Sequence, residues 1–146
     1  MNLYLREIEE DDKKEIEKMA LEFQEANDEY PFEGVSDLKK VINNSFEEYF
    51  NGLEISKHID EIYPAYANQT TYVLADDSNH IYGLINLRHE LKGKLMEVGG
   101  HIGYGIRPSE RKKGYATLQL KLILDKLNHK VLYVILESTS LISYPI

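Results

Sequence analysis

Cysteine is missing from this 146-residue chain. That excludes a disulfide framework and thiolate chemistry, and it fits a reducing cytoplasm. No apolar run is long enough to span a membrane, and no cationic segment leads into an apolar one as a secretion signal would. No membrane partner is therefore expected. Positive charge is scarce: 17 Lys and Arg stand against 25 Asp and Glu, a formal net charge of −8. That excludes general nucleic-acid binding, which needs a basic footprint. The five histidines show no metal-ligand spacing, and neither HExxH nor CxxC occurs, so no metal is expected.

What remains is an ordinary globular composition. Apolar residues make up 42%, enough for one domain over residues 1–146 with one core. Leu3 to Ile8 alternates as a first strand. Asp12 and Glu15 have the spacing of a helix cap, and Ile16, Met19, Ala20 and Phe23 follow on one helical face. Asp28 to Gly34 reads as a loop, and Ser36 opens a short helix carrying Leu38, Val41 and Ile42. Ser45 and Glu48 make a capping box before Phe46, Tyr49, Phe50 and Leu53. Thr70 to Ala75 and His80 to Leu91 form a hairpin around the turn Asp76-Asp77-Ser78-Asn79.

The densest information lies between Gly99 and Leu127, GGHIGYGIRPSERKKGYATLQLKLILDKL. It reads as a glycine-spaced strand, a polar loop and an amphipathic helix with Ala116, Leu120, Ile123, Leu124 and Leu127 inward. Gly103 and Gly105 share one strand face, where missing side chains leave room for a ligand backbone. The loop RKKGYA opens directly onto the helix, whose first N–H groups lack intrahelical acceptors and whose dipole is positive there. Gly114 lets a ligand approach the backbone, and Arg107, Arg111, Lys112 and Lys113 gather charge in an otherwise acidic chain. This is a site for a phosphorylated ligand. It is not a P-loop, because Lys113-Gly114-Tyr115 has the wrong order, nor a dinucleotide fingerprint, because Pro108 stands where a third glycine belongs.

Arg111, Gly114 and Ala116 match the Q/R-x-x-G-x-G/A signature, and the block from Gly100 to Ala116 resembles bacterial members of the GNAT N-acetyltransferase superfamily of unassigned substrate. The resemblance implies an α+β fold, the acyl-CoA N-acyltransferase fold. Its mixed sheet lies between helix layers, α/β/α, in the order β-α-α-β-β-β-α-β. The strand at Ile102–Arg107 should run parallel to one at Val131–Leu136. It implies acetyl-CoA as co-substrate, held by Ile106, Arg107, Arg111, Lys112, Lys113, Gly114, Tyr115, Ala116 and Thr117. The backbone of Gly105 to Arg107 would meet the pantetheine arm. The implied reaction is direct attack of a primary amine, on a small molecule or peptide, upon the acetyl thioester. An acidic surface is compatible with such a cationic acceptor.

The chain departs from the family in two places. Where many members carry a glutamate base, this chain has Gly100; the nearby proton acceptors are His101, Glu97 and His89, with His101 the candidate catalytic residue. Arg88 and His89 are candidate acceptor contacts. The usual C-terminal helix and β-hairpin are expected to be lacking: residues 137–146, ending LISYPI, read as a tail foreign to the fold or else as an extra strand. That reading expects apolar surface covered by a homodimer. The alternative function is a CoA-binding domain with weak or no turnover.

Overall fold

The computed structural model describes residues 2–89, 102–127, 132–135 and 141–144. Six strands form one sheet in the order of the chain: β1 Leu3–Glu7, β2 Gln69–Asp76, β3 Ile81–Arg88, β4 Ile102–Ile106, β5 Leu132–Ile135 and β6 Leu141–Tyr144. Each neighbouring pair is antiparallel except β4 and β5, which run parallel with Ile102 opposite Val134. The parallel pair and its intervening helix are as the sequence predicts. A parallel neighbour demands a crossover rather than a tight turn, and the helix Tyr115–Lys126, α4, supplies it.

The other helices are α1 Lys13–Glu25, α2 Lys39–Asn43 and α3 Phe46–Ser56. They cover the opposite sheet face from α4. On their side Ile16, Met19, Ala20 and Phe23 of α1 pack with Leu38, Val41, Phe46, Tyr49 and Leu53, against Val73, Ala75, Ile81 and Leu84. The i, i+3, i+4, i+7 spacing of the α1 residues makes that stripe, and all four are buried. On the far side Ile123 and the partly buried Leu120 and Leu124 of α4, with Leu127 just after it, cover Ile85, Leu87 and Ile102. The result is the three-layer α/β/α arrangement. The Ser45 hydroxyl accepts from Glu48 N–H at 3.1 Å and starts α3, the Ser45 half of the expected capping box.

Three expectations are corrected. Asp12 does not cap α1 with its side chain. Its carboxylate receives both Arg6 guanidinium nitrogens, at 2.7 and 2.8 Å, and the Glu9 N–H at 2.8 Å. A buried carboxylate needs a cation, and Arg6 on β1 is the one within reach. The sequence LISY forms β6, paired with β5 from Leu132 opposite Tyr144 to Ile135 opposite Leu141. It belongs to the sheet, as the extra-strand alternative has it.

The third correction concerns Gly103 and Gly105. The room they leave is taken by the protein itself. A Cβ on Gly105 would meet the Phe23 ring at 3.2 Å and Val35 at 3.3 Å, and one on Gly103 would sit 2.7 Å from the Gly34 carbonyl oxygen. Gly34, with φ +84°, faces the backbone of Tyr104 so closely that any Cβ there would overlap its carbonyl oxygen. Backbone-to-backbone contact thus seats the segment after α1 on β4.

Two expectations for stability follow from these contacts. Gly34→Ala should lower stability by about 1–3 kcal/mol, from the left-handed backbone plus the overlap, and so reduce Tm by several degrees. Gly52→Ala in α3, whose Cβ would meet only the Lys40 Nζ at 3.6 Å, should be neutral or stabilising by up to about 1 kcal/mol. Thermal melts of both check the contrast, and equal Tm values would refute it.

Asp12 predicts acid sensitivity. Burial works against its ionisation, but the Arg6 bond, the Glu9 N–H bond and the Arg6 charge together outweigh burial and hold the carboxyl below its ordinary 3.8. A depressed folded value contributes stability above the unfolded pKa, and that stability is lost as pH falls through the folded value. Asp12→Asn should cost about 1–3 kcal/mol at neutral pH, since Arg6 loses a charged partner. Thermal melts across pH should also show a flatter decline of Tm below pH 4 for this variant than for the parent.

Candidate functional site

The site begins at an irregularity in β3. Leu74 pairs with Gly83 but Ala75 pairs with Ile81, so the register skips Tyr82. The extra residue shifts the alternation: Ile81 joins the α1-side core, while a Cβ on Gly83 would sit 2.7 Å from Gln119 of α4. The Tyr82 ring packs edge-on against His80 at 4.6 Å and Tyr115 at 4.8 Å between centroids. Its hydroxyl donates to Asp76 at 2.9 Å. Burial, then Asp76, pushes that phenol up to about 12.

Beyond β4, Arg107 turns into the protein and is 5% exposed. Its Nε donates to Glu22 at 2.6 Å, and its Nη1 donates to Glu15 at 3.1 Å and to the Ile81 carbonyl at 3.2 Å. Glu22 also accepts the Ser109 N–H at 2.9 Å. Burial opposes the charge on Glu22, but Ser109 and Arg107 together hold its carboxyl below the usual range. These bonds fix the 3₁₀ turn Pro108–Glu110, which delivers the chain to the basic loop. Gly114, with φ +85°, caps α4 in the left-handed conformation, and no atom lies within 4 Å of where its Cβ would be. Glycine is there for the bend, and its outer side is open.

A cleft of about 740 Å³ lies over this loop. Tyr104, Gly105 and Ile106 of β4 line it, with Arg111, Lys112, Gly114, Tyr115 and Ala116; the facing wall is the segment from Asn27 to Gly34. Of the residues singled out from sequence, Ile106, Arg111, Lys112, Gly114, Tyr115 and Ala116 therefore meet in one cavity. Thr117 is exposed in the first turn of α4. Arg107 is drawn inward, its guanidinium committed to Glu15, Glu22 and Ile81, so only its backbone remains at the end of β4.

The remaining basic charge is less available than composition suggests. Lys113 Nζ bonds to Glu110 at 2.8 Å, and Arg111 Nη1 to Asp28 at 2.8 Å across the cleft. Lys113, then burial, which acts the other way, and then His80 set the Glu110 carboxyl; the two bonds win and lower its pKa. The His80 Nε2 lies 2.7 Å from Glu110. Among the described residues, Lys112 is the one cation of the four with no ion pair; it is exposed, at φ +65°.

Sequence reading misses Asp28, which lines the cleft, and Glu22, His80 and Tyr82, which hold the residues around it. Their partners lie 30 or more positions away for three of the four, His80 with Glu110, Asp28 with Arg111 and Glu22 with Arg107. No local spacing signals such pairs.

Arg88 and His89 lie elsewhere. Arg88 lines a smaller cavity of about 50 Å³ with Asp37, Tyr49, Thr71, Leu84 and Asn86; Gly34 borders this cavity and the large cleft alike. Burial lowers the Arg88 pKa and the charge of Asp37 opposes that. Burial, and then Asp37, raises the Tyr49 phenol. His89 Nε2 lies 2.8 Å from the Thr70 hydroxyl, and its N–H donates to the Asn68 carbonyl. His101, Glu97 and Gly100 lie outside the described residues.

No family model matches the chain, and no curated protein sequence matches it. Two solved structures are similar to it. Mutant forms of the spermidine/spermine N-acetyltransferase SpeG from Vibrio cholerae are 22% identical, with a TM-score of 0.49 over 91% of this chain and 69% of that one. A chimera of Vibrio cholerae spermidine N-acetyltransferase SpeG and hSSAT is 23% identical, with a TM-score of 0.48 over 92% of this chain and 70% of that one.

Proposed function

We propose that this chain is an acetyl-CoA-dependent N-acetyltransferase of the GNAT type, moving acetyl to a primary amine. One observation carries the reading. The left-handed Gly114 opens α4 onto the floor of the cleft, with open space where a Cβ would stand. Diphosphate needs that combination: backbone N–H groups at a helix start, a positive dipole end and no side chain in the way. The N–H groups of the first turn of α4, at Tyr115, Ala116 and Thr117, are the donors. Lys112 adds charge from the rim, and Ile106 with the Arg107 backbone flanks the pantetheine arm.

Acetyl-CoA supplies an activated thioester. The amine nitrogen attacks its carbonyl carbon, the C–S bond breaks, and the amide forms with CoA thiol as the other product. The amine must lose a proton on the way, and His101 is assigned that role from its place beside the first residue of β4. Arg88 and His89 are assigned to the acceptor side. The supporting geometry, for Arg88 alone, is that Gly34 borders both the large cleft and the cavity lined by Arg88. The same reading takes the protein as cytoplasmic and as a homodimer. The ends of the sheet at β1 and β6 offer backbone that a second copy can pair with.

Calorimetry with CoA tests the loop. Gly114→Glu should abolish measurable binding, because it adds bulk and negative charge where phosphate belongs. Lys112→Ala should weaken binding by roughly 1 kcal/mol or less, as expected for an exposed charge. Equal affinity of parent and Gly114→Glu would refute the site.

Thiol release from acetyl-CoA with a panel of amino acids, polyamines and peptides tests turnover. His101→Ala should lower kcat by about 10²–10⁴-fold if it is the base. CoA binding without turnover on any acceptor would favour the alternative of a binding domain.

A further inference from the structure

The guanidinium of Arg111 stands on one wall of the cleft and is bonded to the other. Its Nε donates to the Ile106 carbonyl at 3.2 Å, on its own side. Its Nη1 donates to Asp28 at 2.8 Å, on the facing segment. The group also lies over the Phe23 ring, 5.7 Å from its centroid. Arg111 therefore spans the mouth of the cleft as a strap.

The segment it holds is tethered unevenly. At its far end Phe32 is buried against Phe23, Val35 N–H bonds back to the Phe32 carbonyl, and Gly34 rests on Tyr104. At its near end Ala26 N–H closes α1 on Glu22. Between them Asn27, Asp28, Glu29 and Tyr30 are exposed. Asp28 is where this stretch is tied to the opposite wall.

We propose that Asp28 is a positioning residue whose bond to Arg111 couples anion binding at the loop to the state of the facing wall. The inference rests on the reading of residues 111–116 as a phosphate site. A phosphate and the Asp28 carboxylate are both anions, and they compete for one forked cation. When phosphate takes Arg111, the wall at residues 27–30 loses its tie to the loop. The carboxylate acts through Arg111 and touches neither substrate.

The test combines CoA titration with amide hydrogen exchange on the full chain. Asp28→Asn keeps the size of the side chain and removes its charge. It should tighten CoA binding by about two- to fivefold, the scale of an exposed ion pair, and less at high salt. Exchange at the Glu33 amide, which bonds to the Tyr30 carbonyl at 3.1 Å, should already be faster in this variant than in the parent without CoA. In the parent, exchange there should rise when CoA is added. Glu25→Gln removes an equal charge from the end of α1 and should change neither readout.

Unchanged or weaker CoA affinity in Asp28→Asn would overturn the coupling while leaving the phosphate site standing. So would unchanged exchange in the parent on adding CoA, or an equal gain of affinity in Glu25→Gln. If CoA does not bind the parent at all, the phosphate reading falls and the coupling falls with it.

Discussion

A buried guanidinium sets the terms for this site. Removing a charge from water is costly unless partners replace the lost hydration, and Arg107 finds them on two other elements. Glu15 and Glu22 come from α1, and the Ile81 carbonyl comes from the start of β3. One side chain thereby ties the end of β4 to the first helix and to the irregular strand beside it. Glu22 extends the tie by accepting the Ser109 N–H, so the turn after β4 is held by the same group. The basic loop and the start of α4 inherit their position from that arrangement. A cation that composition assigns to ligand binding has its guanidinium committed to the scaffold on which the candidate site is built.

The shape of the cleft follows from a second constraint, the close approach of two backbones. Gly34 and Gly103 let the segment after α1 lie directly on β4, with Phe23 and Val35 filling the space above Gly105. Side chains at these glycines would force the segment outward. The large cleft and the small cavity under Arg88 meet at Gly34, so the contact that closes one wall also divides the two spaces.

Features governed by near neighbours along the chain are legible in the sequence itself. The α1 stripe of Ile16, Met19, Ala20 and Phe23 is a matter of 3.6-residue periodicity, and Ser45 caps α3 because Glu48 lies three residues on. Asp76 makes its turn by accepting the N–H groups of Ser78 and His80, as an Asx turn does. The glycine at the start of α4 is legible for the same reason. What escapes is set by distant partners. Asp12 has the spacing of a cap, but Arg6 on the adjacent strand claims its carboxylate. The skipped residue Tyr82 leaves no mark in a run of apolar residues. The neutralisation of Arg111 and Lys113 depends on Asp28 and Glu110. Counting positive charge along the loop therefore overstates what a phosphate would meet. The face carrying Gly103 and Gly105 reads correctly as bare of side chains, but what occupies it comes from far earlier in the chain.

The Arg107 tie joins residues 85 and 92 positions apart. During synthesis, α1 emerges from the ribosome long before its partner exists. Glu15 and Glu22 then have no buried cation to hold, and the turn that carries the loop has no anchor. Local helices can form at once, but the long closure has to be completed before these contacts contribute. The nascent chain thus carries a helix with unmatched carboxylates until β4 arrives. The cleft is a late product of folding, assembled when one arginine reaches the helix made at the start.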